Sequence, residues 1–156
     1  LDEHLKNLLR HAGFASPAAR PGEPLASALI EAAFLVAAAD DLLSASEAEL
    51  LQAAMSFVRG AEVNPAELDA ALEHLNEVRS HDGTDSRLIH IGSVLDDPQQ
   101  RAQVLRFAAA VALSDRRVVP REHGTLLKLG KALGFSPEEV LRVNEEVRRA
   151  APVDPP

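Results

Sequence analysis

Five places in this 156-residue chain carry the signature of a helix start, and together they leave little room for anything but helices. Ser44-Ala45-Ser46-Glu47 is a capping box, in which the serine accepts from the N3 amide and the glutamate reaches back to the cap amide. Asn64-Pro65-Ala66-Glu67 repeats the device with proline at N1. Asp97-Pro98-Gln99-Gln100 is an N-cap followed by proline, Pro120 and Glu122 occupy N1 and N3 of another helix, and Ser136-Pro137-Glu138-Glu139 opens the last. The apolar-polar alternation of a half-buried strand is missing throughout. The expected class is all-α, a seven- to eight-helix bundle.

Apolar periodicity fills in the segments between those starts. Leu5, Leu8, Leu9 and Ala12 share one face, so residues 1–14 are an N-terminal amphipathic helix that docks on the rest. Residues 15–24 hold three prolines and a glycine and form a loop. A helical domain follows over 25–149, and 150–156 is a disordered tail or linker. Within the domain, Leu25 to Asp40 is apolar nearly all round, as expected of a buried helix. The helix capped by Ser44 stops at Gly60. The next carries Leu68, Ala71, Leu72, Leu75 and Val78 inward. Asp85 to Leu95 reads as a shorter helix despite Gly92. A second buried helix carries Val104, Leu105, Phe107, Val111 and Leu113. The last places Val140, Leu141, Val143 and Val147 inside.

Two stretches share a plan at a constant offset of 75 residues. Leu29 to Val58 and Val104 to Leu133 each run from an alanine-rich segment into an aspartate, a short loop, and a glutamate seven positions later. The anchors are Asp40 with Glu47, and Asp115 with Glu122. Ala33 matches Ala108, Val36 matches Val111, Ala37 matches Ala112 and Leu51 matches Leu126. An internal pseudo-twofold repeat is expected, built on the two buried helices.

Composition removes several function classes. With 24 acidic and 16 basic side chains the net charge is -8, and there is no tryptophan or tyrosine. That balance repels phosphate backbones and offers only five phenylalanines for base stacking, so nucleic acid is not an expected partner. An acidic surface suits cations or basic protein surfaces. No cysteine is present, which excludes disulfides and thiolate metal sites. The longest apolar run, Ala32 to Ala39, falls far short of the roughly 20 residues of a membrane span. The chain begins with leucine, and a processed product or a piece of something longer is expected.

The Asp-x6-Glu turns are where this chain resembles the tellurite-resistance TerB-like family, an all-helical repeat with an Asp-Gly-x-hydrophobic-Ser/Thr-x-x-Glu signature after each central helix. The corresponding segments are Asp40-Asp41-Leu42-Leu43-Ser44-Ala45-Ser46-Glu47 and Asp115-Arg116-Arg117-Val118-Val119-Pro120-Arg121-Glu122. The resemblance spans about Leu25 to Val147. It departs at the glycine, which is Asp41 in one copy and Arg116 in the other, and at Val119 in place of Ser or Thr. An arginine is disfavoured where a positive φ is required, so the second turn is expected to differ in shape.

The resemblance implies a non-catalytic interaction or cation-sensing module of bacterial tellurite and stress-response systems. It implies a cytoplasmic protein, peripheral to the inner membrane through a membrane-associated protein partner, and linkers to other modules such as the J-domain of related chaperone proteins. Asp40, Asp41, Glu47, Asp115 and Glu122 are then candidate ligands for a divalent cation such as calcium. The same residues with Glu49 are candidate partner contacts. The plainer account is local: a glutamate at N3 is explained by capping, and an aspartate in a turn accepts from nearby amides. Calcium also takes six to eight oxygens, and neither EF-hand spacing nor its loop glycine occurs. Arg116 and Arg117 would repel a cation, leaving the first turn the better site.

Other patterns carry less. The six histidines are scattered, with no His-Glu-x-x-His for zinc. His81-Asp82-Gly83-Thr84-Asp85 could hold an ion, but Asp-Gly is first a turn signal. Gly124 to Ala132, GTLLKLGKA, fails as a phosphate loop because it lies inside a helix and ends in alanine. Two alternatives stay open: a dedicated divalent-metal binder, and a small carboxylate-dependent enzyme, which requires a deep cleft and a carboxylate of raised pKa.

Overall fold

The computed structural model describes residues 3–14, 21–39, 43–114 and 120–150. Among them are eight helices and no strand: α1 (Glu3–His11), α2 (Leu25–Ala37), α3 (Ala45–Arg59), α4 (Pro65–Asp82), α5 (Thr84–Val94), α6 (Pro98–Ala112), α7 (Pro120–Ala132) and α8 (Pro137–Ala150). The cap signatures act as their chemistry requires. Ser44 Oγ accepts from the Glu47 amide at 3.1 Å while Glu47 Oε1 accepts from the Ser44 amide at 2.8 Å. Asn64 with Glu67 and Ser136 with Glu139 close the same two bonds. Asp97 accepts from the Gln99 amide at 2.8 Å. The helix that begins at Ala45 ends on Gly60 at φ 76°, a conformation glycine adopts without penalty.

The centre of the bundle is the α2–α6 pair. Ala32, Ala33, Val36 and Ala37 on α2, with Ala108, Ala109, Val111 and Ala112 on α6, are wholly buried. Small side chains let the two backbones approach closely; α2 is apolar on nearly every face, and α6 is so over its second half, Phe107 to Ala112. α2 ends at Ala37 and α6 at Ala112, while α3 begins at Ala45 and α7 at Pro120, so element ends keep the 75-residue spacing of the sequence. α2 stops short of the expected Asp40, which lies outside the described residues.

α1 is part of this core. Leu5, Leu8, Ala12 and Phe14 are buried in the same cluster as the central pair. Phe14 stacks edge-on against Phe57 of α3 at 5.4 Å and tilts against Phe107 of α6 at 4.9 Å between ring centroids.

Two inward faces are narrower than apolar spacing suggests. On α4 only Leu68 is fully buried; Ala71, Leu72, Leu75 and Val78 are half-buried because α4 lies along the rim of the bundle. On α8, Val140, Asn144 and Val147 are buried, whereas Leu141 is 52% exposed. The stripe that packs is i, i+4, i+7, and Leu141 stands about 100° around the helix from Val140.

Gly92 is where α5 meets α7. A Cβ at that position would stand 2.2 Å from the Ala132 carbonyl oxygen, so only glycine permits the approach. Arg101 of α6 locks the same junction. Its Nε donates to the Leu95 carbonyl at 2.6 Å, Nη2 to Gly92 at 3.0 Å and Nη1 to Leu133 at 3.2 Å. One guanidinium thereby satisfies carbonyls at the ends of two helices that have no intrahelical donors of their own.

Candidate functional site

The acidic turns divide into a part the structure describes and a part it does not. Asp40, Asp41 and Asp115 lie outside the described residues. Glu47 and Glu122, 75 positions apart at N3 of α3 and α7, are 1% and 3% exposed. Both carboxylates are turned into the fold. Glu47 spends Oε1 on the Ser44 amide. Glu49, on the outer face of α3, is exposed and borders a shallow depression with Gln52, Ser56 and Glu62.

Among the described residues, no three of Asp, Glu, His and Cys come together as a metal-holding group. The His81–Asp85 segment shows why clustering in sequence is insufficient. Asp82 Oδ1 lies 2.7 Å from His81 Nδ1 and its Oδ2 accepts from Arg87 at 3.2 Å. These two neighbours, His81 foremost, hold the Asp82 carboxyl below the usual carboxylate range. Asp85 is 3.2 Å from Lys128 Nζ across to α7. The carboxylates of this segment are committed to cationic side chains of the protein itself.

A feature that motif reading does not nominate is a groove of about 430 Å³ between α2, α3 and α4, closed at one end by Arg87 of α5. Its floor is Ala26 and Ile30 of α2, Met55 and Val58 of α3, and Leu75 and Val78 of α4. The half-burial of the α4 face creates it: those side chains cover the core on one side and line open space on the other. The available signal was the excess of apolar positions on α4 over what a rim helix can bury.

The groove's edges are charged and largely paired. Arg87 grips Glu31 with two parallel bonds, Nε to Oε2 at 2.7 Å and Nη2 to Oε1 at 2.9 Å, both side chains being at least four-fifths buried. Hydrogen bonding to Glu31 is the main reason the Arg87 pKa is raised. Arg59 pairs with Glu67, and that bond, with the Asn64 amide second, lowers the Glu67 pKa. Glu23 accepts from Ser27 Oγ at 2.6 Å. Alongside the floor, α4 carries Glu67, Asp69, Glu73, Glu77 and Asp82 against the single Arg79. Arg79 turns back over the Phe34 ring, 5.6 Å from its centroid, and donates to the Ala38 carbonyl at the end of α2. What the groove presents outward is an apolar floor beside an acidic helix.

No helix among the described residues is long and apolar enough to cross a membrane. No curated protein and no solved structure matches the chain. The family model described as Tellurite resistance protein TerB matches residues 26–145, the span that holds both Asp-x6-Glu turns and all of α3 to α7. With more than half its length matched and an all-helical fold around two central helices, the chain belongs to the TerB family.

Proposed function

We propose that the chain is a non-catalytic docking module that seats a basic, amphipathic segment of a partner protein in the α2–α4 groove. The observation that carries this reading is the juxtaposition of the apolar floor with the net acidic α4. An amphipathic helix lays its apolar face into such a groove. Lysine or arginine at its edge would meet Glu23, which borders the floor, within the field of the net acidic α4, where opposite potentials speed encounter and exclude acidic competitors. Membership of the TerB family is consistent with a role in tellurite or stress response, in the cytoplasm and next to a membrane-associated partner. The shallowness of the groove suits a docked segment better than the enclosed cleft that catalysis needs.

The test is binding of a dye-labelled 18-residue Leu/Lys amphipathic helix, followed by anisotropy, with a Leu/Glu helix of the same pattern as control. The basic peptide binds at micromolar Kd and weakens as salt rises. Leu75→Arg, which removes the half of the side chain still open to a partner, about 1 kcal/mol, and adds a like charge, weakens it severalfold or more. Equal affinity for both peptides, or no loss in Leu75→Arg, would sink the reading. The rival is a divalent cation at the turns, favoured by the matched burial of Glu47 and Glu122. It predicts calorimetric heat with calcium, magnesium, manganese or zinc that Asp40→Asn or Asp115→Asn abolishes.

A further inference from the structure

A second groove, of about 550 Å³, lies between the end of α1 and the first half of α6. On α6 its wall is Gln99, Ala102, Gln103 and Arg106, which recur at i, i+3, i+4 and i+7 and so form one stripe along the helix. Facing them are His11 and Gly13. The chemistry runs against the rest of this chain. The α2–α4, α5–α7, α3 and α7–α8 grooves each carry an Asp or Glu on their walls, and the protein is net acidic. This groove has no carboxylate on its wall, only an imidazole and, all able to donate, two carboxamides and a guanidinium.

These donors are lightly committed inside the fold. The side chains of Gln99 and Gln103 make no hydrogen bond to a described residue. Arg106 Nε forms a loose, half-exposed ion pair with Glu146 at 3.9 Å, too long for a hydrogen bond, which leaves its N–H groups open to a competing anion. His11 Nε2 has no hydrogen-bond partner but lies beneath the surface, so His11 shapes the wall rather than donating from Nε2. Gly13, at φ 100°, leaves the space Gln103 uses: its Nε2 stands 2.7 Å from where a Cβ at residue 13 would be. Any side chain there would push the carboxamide out of the groove.

We propose that this groove binds a small oxyanion, a phosphate or a carboxylate, with Arg106 supplying the charge and Gln99 and Gln103 the remaining donors. Arg106 is suited to this because its planar fork matches two oxygens at once. The neighbouring helix ends set the position. Asp97 already accepts from the Gln99 amide, so the anion sits towards Arg106 rather than on the first turn of α6. The Leu8, Leu9 and Arg10 carbonyls of α1 accept from Ala12, Phe14 and Gly13, which closes that helix on itself. The site is independent of the α2–α4 groove and stands or falls separately from the docking function.

The experiment is a titration of the ¹⁵N-labelled full chain with inorganic phosphate and, in a parallel arm, acetate, each at ionic strength held constant with chloride. The side-chain NH₂ signals of Gln99 and Gln103 and the Gly13 amide shift saturably, with a Kd on the order of 1 mM. Arg106→Gln weakens binding about tenfold, the loss expected for one charge-assisted hydrogen bond, and leaves the remaining resonances in place. Gln103→Ala weakens it less. The arm that saturates at lower concentration names the class of ligand. No saturation with either anion, or an unchanged Kd in Arg106→Gln, overturns the proposal.

Discussion

Replacing Gly92 with alanine sets two physical effects against each other. Helix propensity alone favours the change, because glycine inside a helix costs about 1 kcal/mol relative to alanine. Packing opposes it. The new Cβ would stand 2.2 Å from the Ala132 carbonyl oxygen, more than 1 Å inside ordinary contact, and the obstacle is backbone rather than a movable side-chain tip. α5 and α7 must part, which strains the Arg101 bonds to Gly92 and Leu133 that span the same junction. Overpacking of this kind costs about 1–3 kcal/mol, and loosening of the guanidinium adds to it. The net is a destabilisation of about 2 kcal/mol, or about 4–8 °C in Tm for a chain of this length. Gly124 is the internal control: it lies in α7, and a Cβ there meets nothing within 4 Å. Gly124→Ala therefore raises Tm by about 2–4 °C from propensity alone. Differential scanning calorimetry of the two variants beside the parent reads both signs. If Gly92→Ala stabilises as Gly124→Ala does, the close approach of α5 and α7 is wrong.

Arg101→Ala removes three hydrogen bonds to carbonyls at once and lowers stability by about 3 kcal/mol in urea unfolding, with Arg101→Lys recovering only a fraction. A loss under about 0.5 kcal/mol, the level of an ordinary surface substitution, would show that the latch contributes nothing. Ser44→Ala and Ser136→Ala each open a capping box and cost about 1 kcal/mol, and Ser44→Asp restores the cap. Glu67 has its folded pKa lowered by Arg59, so its contribution is present above the unfolded carboxylate value of about 4.3 and is lost as pH falls through the lower folded value. Glu67→Gln accordingly lowers Tm at pH 7 but not at pH 2, and the difference at pH 7 shrinks in high salt because the pair is exposed. A gap that persists at pH 2 would assign it to the capping box instead.

The parts of this fold that were legible are those decided within a few residues. The bonds at Ser44, Asn64, Asp97 and Ser136 join groups two or three positions apart, so the local sequence contains both partners. The burial of α2 and of the second half of α6 was legible because their alanine-rich runs leave almost no polar face. What could not be read is the extent of burial on helices whose surroundings lie elsewhere in the chain. Leu75 and Val78 look like core from spacing alone, and only the position of α4 at the rim turns them into a groove floor. Leu141 looks like core and is solvent-facing because it is one residue off the stripe that meets its neighbours. Gly92 weakens a helix by propensity and is required by a carbonyl 40 residues away. At the candidate site, Glu47 and Glu122 were found for a local reason, as N3 residues, while their burial depends on tertiary packing.

The rim position of α4 also sets how the molecule opens. A helix with one fully buried side chain holds its backbone bonds weakly, whereas α5, α6 and α7 are clamped together through Arg101 and open only as a block. Amide exchange should therefore run fastest along α4 and slowest in the α2–α6 pair. A segment seated against Leu75 and Val78 would slow exchange in α4 first, turning the least protected helix of the bundle into a reporter of occupancy.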